Sequence, residues 1–177
     1  LCARYYPRLH RWARGRLPRA ARGAIDTGDI VQEVLVKVIR RLSVFNPQDE
    51  GAFQGYLRQA LTNRFVDEAR ERLGGVHYLV NNAGVTHDGA LWRLSADAWS
   101  EVLDTNVTGA FNCIQAVAET LRGQRYGKIV NVASHQAFRP GFGIANYAAS
   151  KAALIGLTKA AAVDLGSANI NVNAIAP

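Results

Sequence analysis

Tyr147 and Lys151 stand four residues apart in the run YAASK, so a helix would carry a phenol and an ammonium one turn apart on one face. An ammonium beside a phenol favours the phenolate, which suits the exchange of a proton with a substrate oxygen. Alone, the spacing is common and usually marks a surface helix. Here it has company. Ser134 follows the apolar run GKIVNVA, Asn82 stands in NNAG behind another apolar run, and Asn106 lies in LDTNVTGAF. His135, next to Ser134, invites a catalytic reading, but a loop histidine beside a pocket is the simpler one. Arg139, Phe142 and His87 are further residues with which a substrate could be chosen.

Those residues need elements to hold them. Val76 to Val80 is a continuous apolar run, predicted as a buried strand whose exit turn is Asn81 to Gly84. Ser95 can cap a helix that carries Trp99, Val102, Leu103, Val107, Phe111 and Ile114 toward Leu121. Gly127 to Ala133 is predicted as a second buried strand ending at Ser134. Gly141 and Gly143 punctuate a loop before a long helix, Ala145 to Leu165, and Ile170 to Ile175 opens a third strand. Strands alternating with helices give parallel β/α units, and ligands sit at the carboxyl ends of such strands. Asn82, Ser134 and Tyr147 all fall at or near those ends.

NNAG, Asn106, Ser134 and Tyr147-x-x-x-Lys151, in that order and continuing to INVNAIAP, resemble the short-chain dehydrogenase/reductase family over residues 73–177. The resemblance implies an NAD- or NADP-dependent oxidoreductase acting on a small-molecule carbonyl or alcohol. It implies four catalytic residues. Tyr147 would exchange the proton, Lys151 would hold the nicotinamide ribose, Ser134 would orient the substrate oxygen, and Asn106 would keep a relay water in place. Asn82, Ala83 and Gly84, with Tyr147 and Lys151, would line the cofactor. The family also implies a glycine-rich turn that seats the pyrophosphate on a helix N-terminus. No GxxxGxG stands upstream of Val76. The expectation is therefore an incomplete three-layer, Rossmann-like unit with proton-transfer residues, no working nicotinamide site, and an open apolar edge on its first strand.

The first 72 residues read differently. They hold 14 Lys and Arg against 8 Asp and Glu, whereas the remainder holds 7 against 6, so the basic charge is concentrated there. Such asymmetry suits a polyanionic partner for that part alone. Tyr5, Leu9 and Trp12 recur at helical spacing on a helix rich in arginine from Arg4 to Arg22. Asp26 or Thr27 can cap a second helix with the stripe Val31, Val34, Leu35, Val38 and Leu42. After a loop punctuated by Asn46-Pro47 and Gly51, a third helix turns Phe53, Leu57, Ala60, Leu61 and Phe65 inward. DTGDIVQEVLVKVIRRL, SVFNPQDEGAF and YLRQALTNRFVDEAR resemble region 2 of an extracytoplasmic-function sigma factor. That resemblance implies RNA polymerase core and promoter DNA as partners. Asp29, Gln32 and Glu33 would contact the polymerase, Asn63 would meet an opened base, and Arg58 and Arg64 would neutralise phosphate.

The whole is thus expected to be an α plus α/β chain: a three-helix module over residues 1–72, then an incomplete parallel α/β unit over 73–177. The seam, Val66 to Gly75, is smooth in local sequence although its neighbours imply different chemistry, and two joined gene fragments, clipped at both ends, are the expected origin. Cys2 and Cys113 have no metal-ligand spacing, no metal site is expected, and their separation fits a reducing compartment. No apolar run approaches a membrane span, so cytoplasmic location is the expectation. Helices Ser95 to Leu121 and Ala145 to Leu165 resemble those that pair subunits in the reductase family, which implies a possible homo-oligomer.

Overall fold

The computed structural model describes residues 2–13, 26–41 and 50–177. The arginine-rich stretch through Arg22 and the loop at Asn46-Pro47 lie outside the described residues, as do the side chains of Arg4 and Trp12 and the helix-end residue Leu42. Two compact units divide the chain at Gly75 and Val76.

The first unit is three helices, α1 (Cys2–Ala13), α2 (Thr27–Arg41) and α3 (Glu50–Leu73). Apolar residues at helical spacing meet in one core: Tyr5 and Leu9 from α1, Ile30, Val31, Val34, Leu35 and Val38 from α2, and Phe53, Leu57, Leu61 and Phe65 from α3. Tyr5 packs edge-on against Phe53 with centroids 5.1 Å apart. Ala60, expected inside, is only partly buried against this core.

The second unit runs β1 (Tyr78–Asn81), α4 (Ala96–Leu103), α5 (Gly109–Gln124), β2 (Gly127–Val132), α6 (Ala145–Gly166) and β3 (Ile170–Ile175). Its three strands are parallel in the order β1-β2-β3, with Tyr78 opposite Lys128 and Gly127 opposite Ile170. Ser95 caps α4 by accepting from the Ala98 N–H at 3.1 Å. The single helix expected from Ser95 to Leu121 is instead broken by one π turn, Asp104–Thr108. Asn106, 1% exposed, sits in that turn and is drawn inward by the partners described below, which accounts for the break. At the start of β2 glycine lets α5 pack closely, because a Cβ on Gly127 would lie 2.8 Å from a Leu121 methyl and that side chain would have to shift.

Two expectations need correcting. β1 is not a buried strand: Tyr78 and Val80 are 64% and 62% exposed. The second unit is also two layers rather than three. Ile129, Asn131, Ile170 and Val172 are buried beneath α5 and α6, whereas Tyr78, Val80, Lys128 and Asn171 on the opposite face are exposed. A parallel sheet normally has both faces covered. Here no helix of the unit covers the second face, so the alternation of the strands shows through.

Candidate active site at the carboxyl ends of the strands

The residues leaving β1 and β2 meet the first turns of α6 around a cleft of about 590 Å³. Asn82 and Gly84 line it from the β1 side, Ser134 from the β2 side, and Tyr147 and Lys151 from α6. The fold thereby brings together three of the four residues assigned to proton transfer. Ala83 is exposed and does not line the cleft. Asn106 lies beneath it. Its side-chain oxygen accepts from the Val85 N–H at 2.8 Å, and its amide nitrogen donates to the Val85 carbonyl and to Ser150 Oγ, both at 2.9 Å. In this structure Asn106 therefore fastens the loop after β1 to α6.

Lys151 is 3% exposed and donates to the Val132 carbonyl at 2.6 Å. Its ammonium stands 5.5 Å from the centroid of the Tyr147 ring, as the four-residue spacing predicts. Burial pushes the Lys151 pKa below the ordinary lysine value. Gly84 lies against Lys151 and Asn106: a Cβ there would stand 3.4 Å from both Lys151 Nζ and Asn106 Oδ1, in ordinary van der Waals contact. Ser134 is 7% exposed. Its Oγ accepts from the Gln136 N–H at 3.3 Å and lies 3.5 Å from the Pro177 carbonyl, a distance long for a hydroxyl donor. The hydroxyl proton is thus only loosely committed. His135 is exposed, with Nδ1 3.0 Å from the same Pro177 carbonyl.

Several positioning groups were not singled out in the sequence. Asn146, fully buried, donates to the His87 carbonyl at 3.0 Å and the Ala98 carbonyl at 3.4 Å, and accepts from the Tyr147 N–H at 2.7 Å. Ser150 donates to the Tyr147 carbonyl at 2.7 Å. Across the sheet, Asn81 donates to Asn131 and Asn131 to Thr158, each at 2.8 Å. A sequence signal existed: each is a small polar residue set in an otherwise apolar stripe or strand. Such groups remain inside only when bonded.

In the first unit the assigned residues form a different arrangement. Glu33 and Arg64, expected to face separate partners, pair with each other at 3.0 Å. Arg64 also pairs with Glu68 at 2.8 Å, Glu33 pairs with Lys37 at 2.6 Å, and Glu68 pairs with Arg72. The Lys37 ammonium, aided by Arg64, holds Glu33 below the usual carboxylate range. Asn63 is exposed and accepts from Gln59 at 3.0 Å. With Lys37, Tyr56 and Arg64 it lines a groove of about 540 Å³ between α2 and α3, while Arg58 is not among the lining residues. Asp29 and Gln32 are exposed on α2.

A dinucleotide fits this chain only in part. By the family resemblance, Lys151 would meet its nicotinamide ribose beside Tyr147, and Asn82 and Gly84 its adenosine side. Its pyrophosphate, however, is held in open α/β sheets at the point where strand order reverses. The order β1-β2-β3 contains no reversal, and three helices with no glycine-rich strand-to-helix turn precede β1. The described residues therefore do not seat the whole cofactor. Among them there is also no group of three or more potential metal ligands, and no helix long and apolar enough to cross a membrane.

Comparison with known proteins agrees with this anatomy. A family model described as short chain dehydrogenase matches residues 51–177, and one described as Sigma-70 region 2 matches residues 1–73. The two overlap on α3. Over 112 residues the chain is 47% identical to the 3-oxoacyl-(acyl-carrier-protein) reductase FabG of Staphylococcus epidermidis, covering 63% of this chain and 46% of that protein. It is 43% identical, over the same shares, to the acetoacetyl-CoA reductase of Paracoccus denitrificans. An NAD+-bound xylitol dehydrogenase structure matches with TM-score 0.66 and 38% identity, over 67% of this chain and 46% of that one. A gluconate 5-dehydrogenase of Burkholderia cenocepacia, in complex with NADP and tartrate, matches with TM-score 0.65 and 36% identity, over 67% and 47%. The chain spans about half the length of the curated relatives it matches. With a matching model that takes in both β1 and the Tyr147–Lys151 helix, and extends over more than half of its residues, the chain belongs to the short chain dehydrogenase family.

Proposed function

We propose that the second unit carries the proton-transfer half of an NAD(P)-dependent carbonyl or alcohol oxidoreductase site, and that the described residues alone do not complete the cofactor half. The observation that carries this reading is the convergence of Ser134, Tyr147 and a buried Lys151 on one cleft at the strand ends. The substrate oxygen sits between the Ser134 and Tyr147 hydroxyls. Ser134 donates a hydrogen bond to it, and Tyr147 passes it the phenolic proton as negative charge develops there. Lys151, held by the Val132 carbonyl beside the Tyr147 ring, stabilises the phenolate that remains. Asn106 and Asn146 keep the cleft wall and the Tyr147 turn in register. Acyl-thioester reductases among the relatives favour a 3-oxoacyl thioester as substrate class. Saturation-transfer NMR with acetoacetyl-N-acetylcysteamine tests the reading. Transfer from the full chain is expected, and transfer that survives unchanged in the Ser134→Ala/Tyr147→Phe double variant would refute it.

A second reading concerns residues 1–73, whose family match and excess of basic residues favour a module for RNA polymerase and promoter DNA. The joining of the two parts at α3 is, on this account, a fusion of two gene fragments. Binding of single-stranded DNA that weakens steeply with salt supports the module, and salt-independent or absent binding counts against it.

A further inference from the structure

We propose that Lys151 is also a nucleophile, condensing through Nζ with the carbonyl of a small, unhindered ketone, and that the cleft thereby exchanges the hydrogens on the carbon next to that carbonyl without any redox step. Of the four lysines in the chain, Lys37, Lys128 and Lys159 are exposed, and Lys151 alone is buried. A ligand can nevertheless reach it, because Lys151 lines the cleft of about 590 Å³ at the strand ends, a volume suited to a small molecule. An ammonium has three hydrogens to place. Among the described residues Lys151 has the Val132 carbonyl at 2.6 Å, the centroid of the Tyr147 ring at 5.5 Å and no carboxylate. Asp88, the carboxylate side chain among the lining residues, accepts from the Thr86 hydroxyl instead. Burial without a counter-ion disfavours the ammonium against the amine, and the amine is the nucleophilic form. One of its hydrogens suffices for Val132, and the lone pair is left for a carbonyl carbon.

Two hydroxyls that line the same cleft, on Ser134 and Tyr147, supply what the condensation needs. The Nζ lone pair forms the C–N bond while the C=O π pair moves to oxygen, which Ser134 meets with a hydrogen bond and Tyr147 with its phenolic proton. Nζ, now positive, returns a proton to the phenolate, and a carbinolamine results. A second proton from Tyr147 expels the hydroxyl as water and leaves a protonated imine beside a phenolate. That cation draws electrons from the neighbouring C–H bond; the phenolate takes the proton, and an enamine forms. Reversal, with a proton drawn from solvent, restores the ketone and the amine. Nothing is oxidised or reduced, so the sequence needs neither a dinucleotide nor the residues that would seat one. Lys151 differs from its part in the reductase reading in one respect: there the ammonium supports the phenolate, whereas here the amine bonds to substrate.

Acetone serves as the probe. The full chain is incubated with acetone and sodium cyanoborohydride, which reduces an imine to a stable secondary amine, and the labelled peptides are mapped by mass spectrometry. Lys151 is expected to take the label at least about tenfold faster than the exposed Lys37, Lys128 and Lys159, which serve as internal controls. Without the reductant, in D2O, the chain should speed the entry of deuterium into acetone, followed by proton NMR. Tyr147→Phe should slow that entry by about a hundredfold. Lys151→Arg keeps the charge and removes the primary amine, and Lys151→Met guards against an arginine that the buried site rejects; each should abolish both the label at this position and the exchange. Labelling of Lys151 no faster than that of the exposed lysines, exchange that survives in both Lys151 variants, or exchange undiminished by Tyr147→Phe would overturn the proposal. Absence of the label would leave the reductase reading standing, since that reading uses Lys151 only as an ammonium.

Discussion

At the scale of single residues, the site depends on burying a lysine and on amides that have no freedom to turn elsewhere. The Lys151 ammonium is held below the ordinary lysine value of 10.5 by burial, so the unfolded chain binds that proton more tightly than the folded one. Stability of the second unit should therefore rise with pH between the lowered folded value and 10.5. Below that window the buried charge is a standing cost. Lys151→Met should flatten the rise, which urea unfolding across the alkaline range checks; an unchanged slope would mean that Lys151 is not its source. Asn146→Ala strands the His87 carbonyl and an N–H at the head of α6, and should cost about 2–3 kcal/mol in the same assay. That Tyr147, Lys151 and Ser134 would gather at the strand ends was legible from their order along the chain and the family resemblance, not from the Tyr–Lys spacing alone. Asn146 and Thr158 stand out only as polar residues among apolar ones, and what they bond could not be read until the fold set their partners.

Elements show where local pattern sufficed and where it did not. The helices of the first unit follow from apolar periodicity, because each packs on a face set by its own repeat, and β2 and β3 from their apolar runs, although those runs did not show that Lys128 and Asn171 face outward. The π turn at Asp104–Thr108 could not be read that way, since it arises from what Asn106 reaches across to Val85 and Ser150. The open face of β1 was likewise hidden: a run such as VHYLV looks buried, and only the arrangement of the helices shows which side is covered. The contact of Gly127 with α5 gives an element-scale prediction. Gly127→Ala drives a methyl into Leu121 and should lower stability by about 1–3 kcal/mol in thermal or urea unfolding. On α2 and α3, Glu33→Gln removes one of the two acids compensating Arg64. Single-stranded DNA affinity, read by fluorescence anisotropy, should then rise a few-fold at low salt, with the salt slope steeper by about one counterion. No change would mean that Glu68 alone keeps Arg64 occupied.

For the whole molecule, two family models match the sequence in succession, overlapping on α3, and the fold carries two compact units that divide close to the same place. The helix α3 belongs to both matches. It closes the core of the first unit with Phe53, Leu57, Leu61 and Phe65, and its last turns lead into the strand that opens the second. That double membership explains why the seam was smooth in sequence: a helix ending in alternating acids and bases serves either neighbour equally well. On the proposed reading the second unit supplies half of a site, with Tyr147, Ser134 and Lys151 gathered on one cleft and no seat for a pyrophosphate among the described residues. Titration of the full chain with NADPH and NADH, followed by oxidation of either in the presence of an acetoacetyl thioester, tests this most directly. The account predicts no saturable dinucleotide binding and no turnover above background. Saturable binding with turnover that Tyr147→Phe abolishes would contradict it.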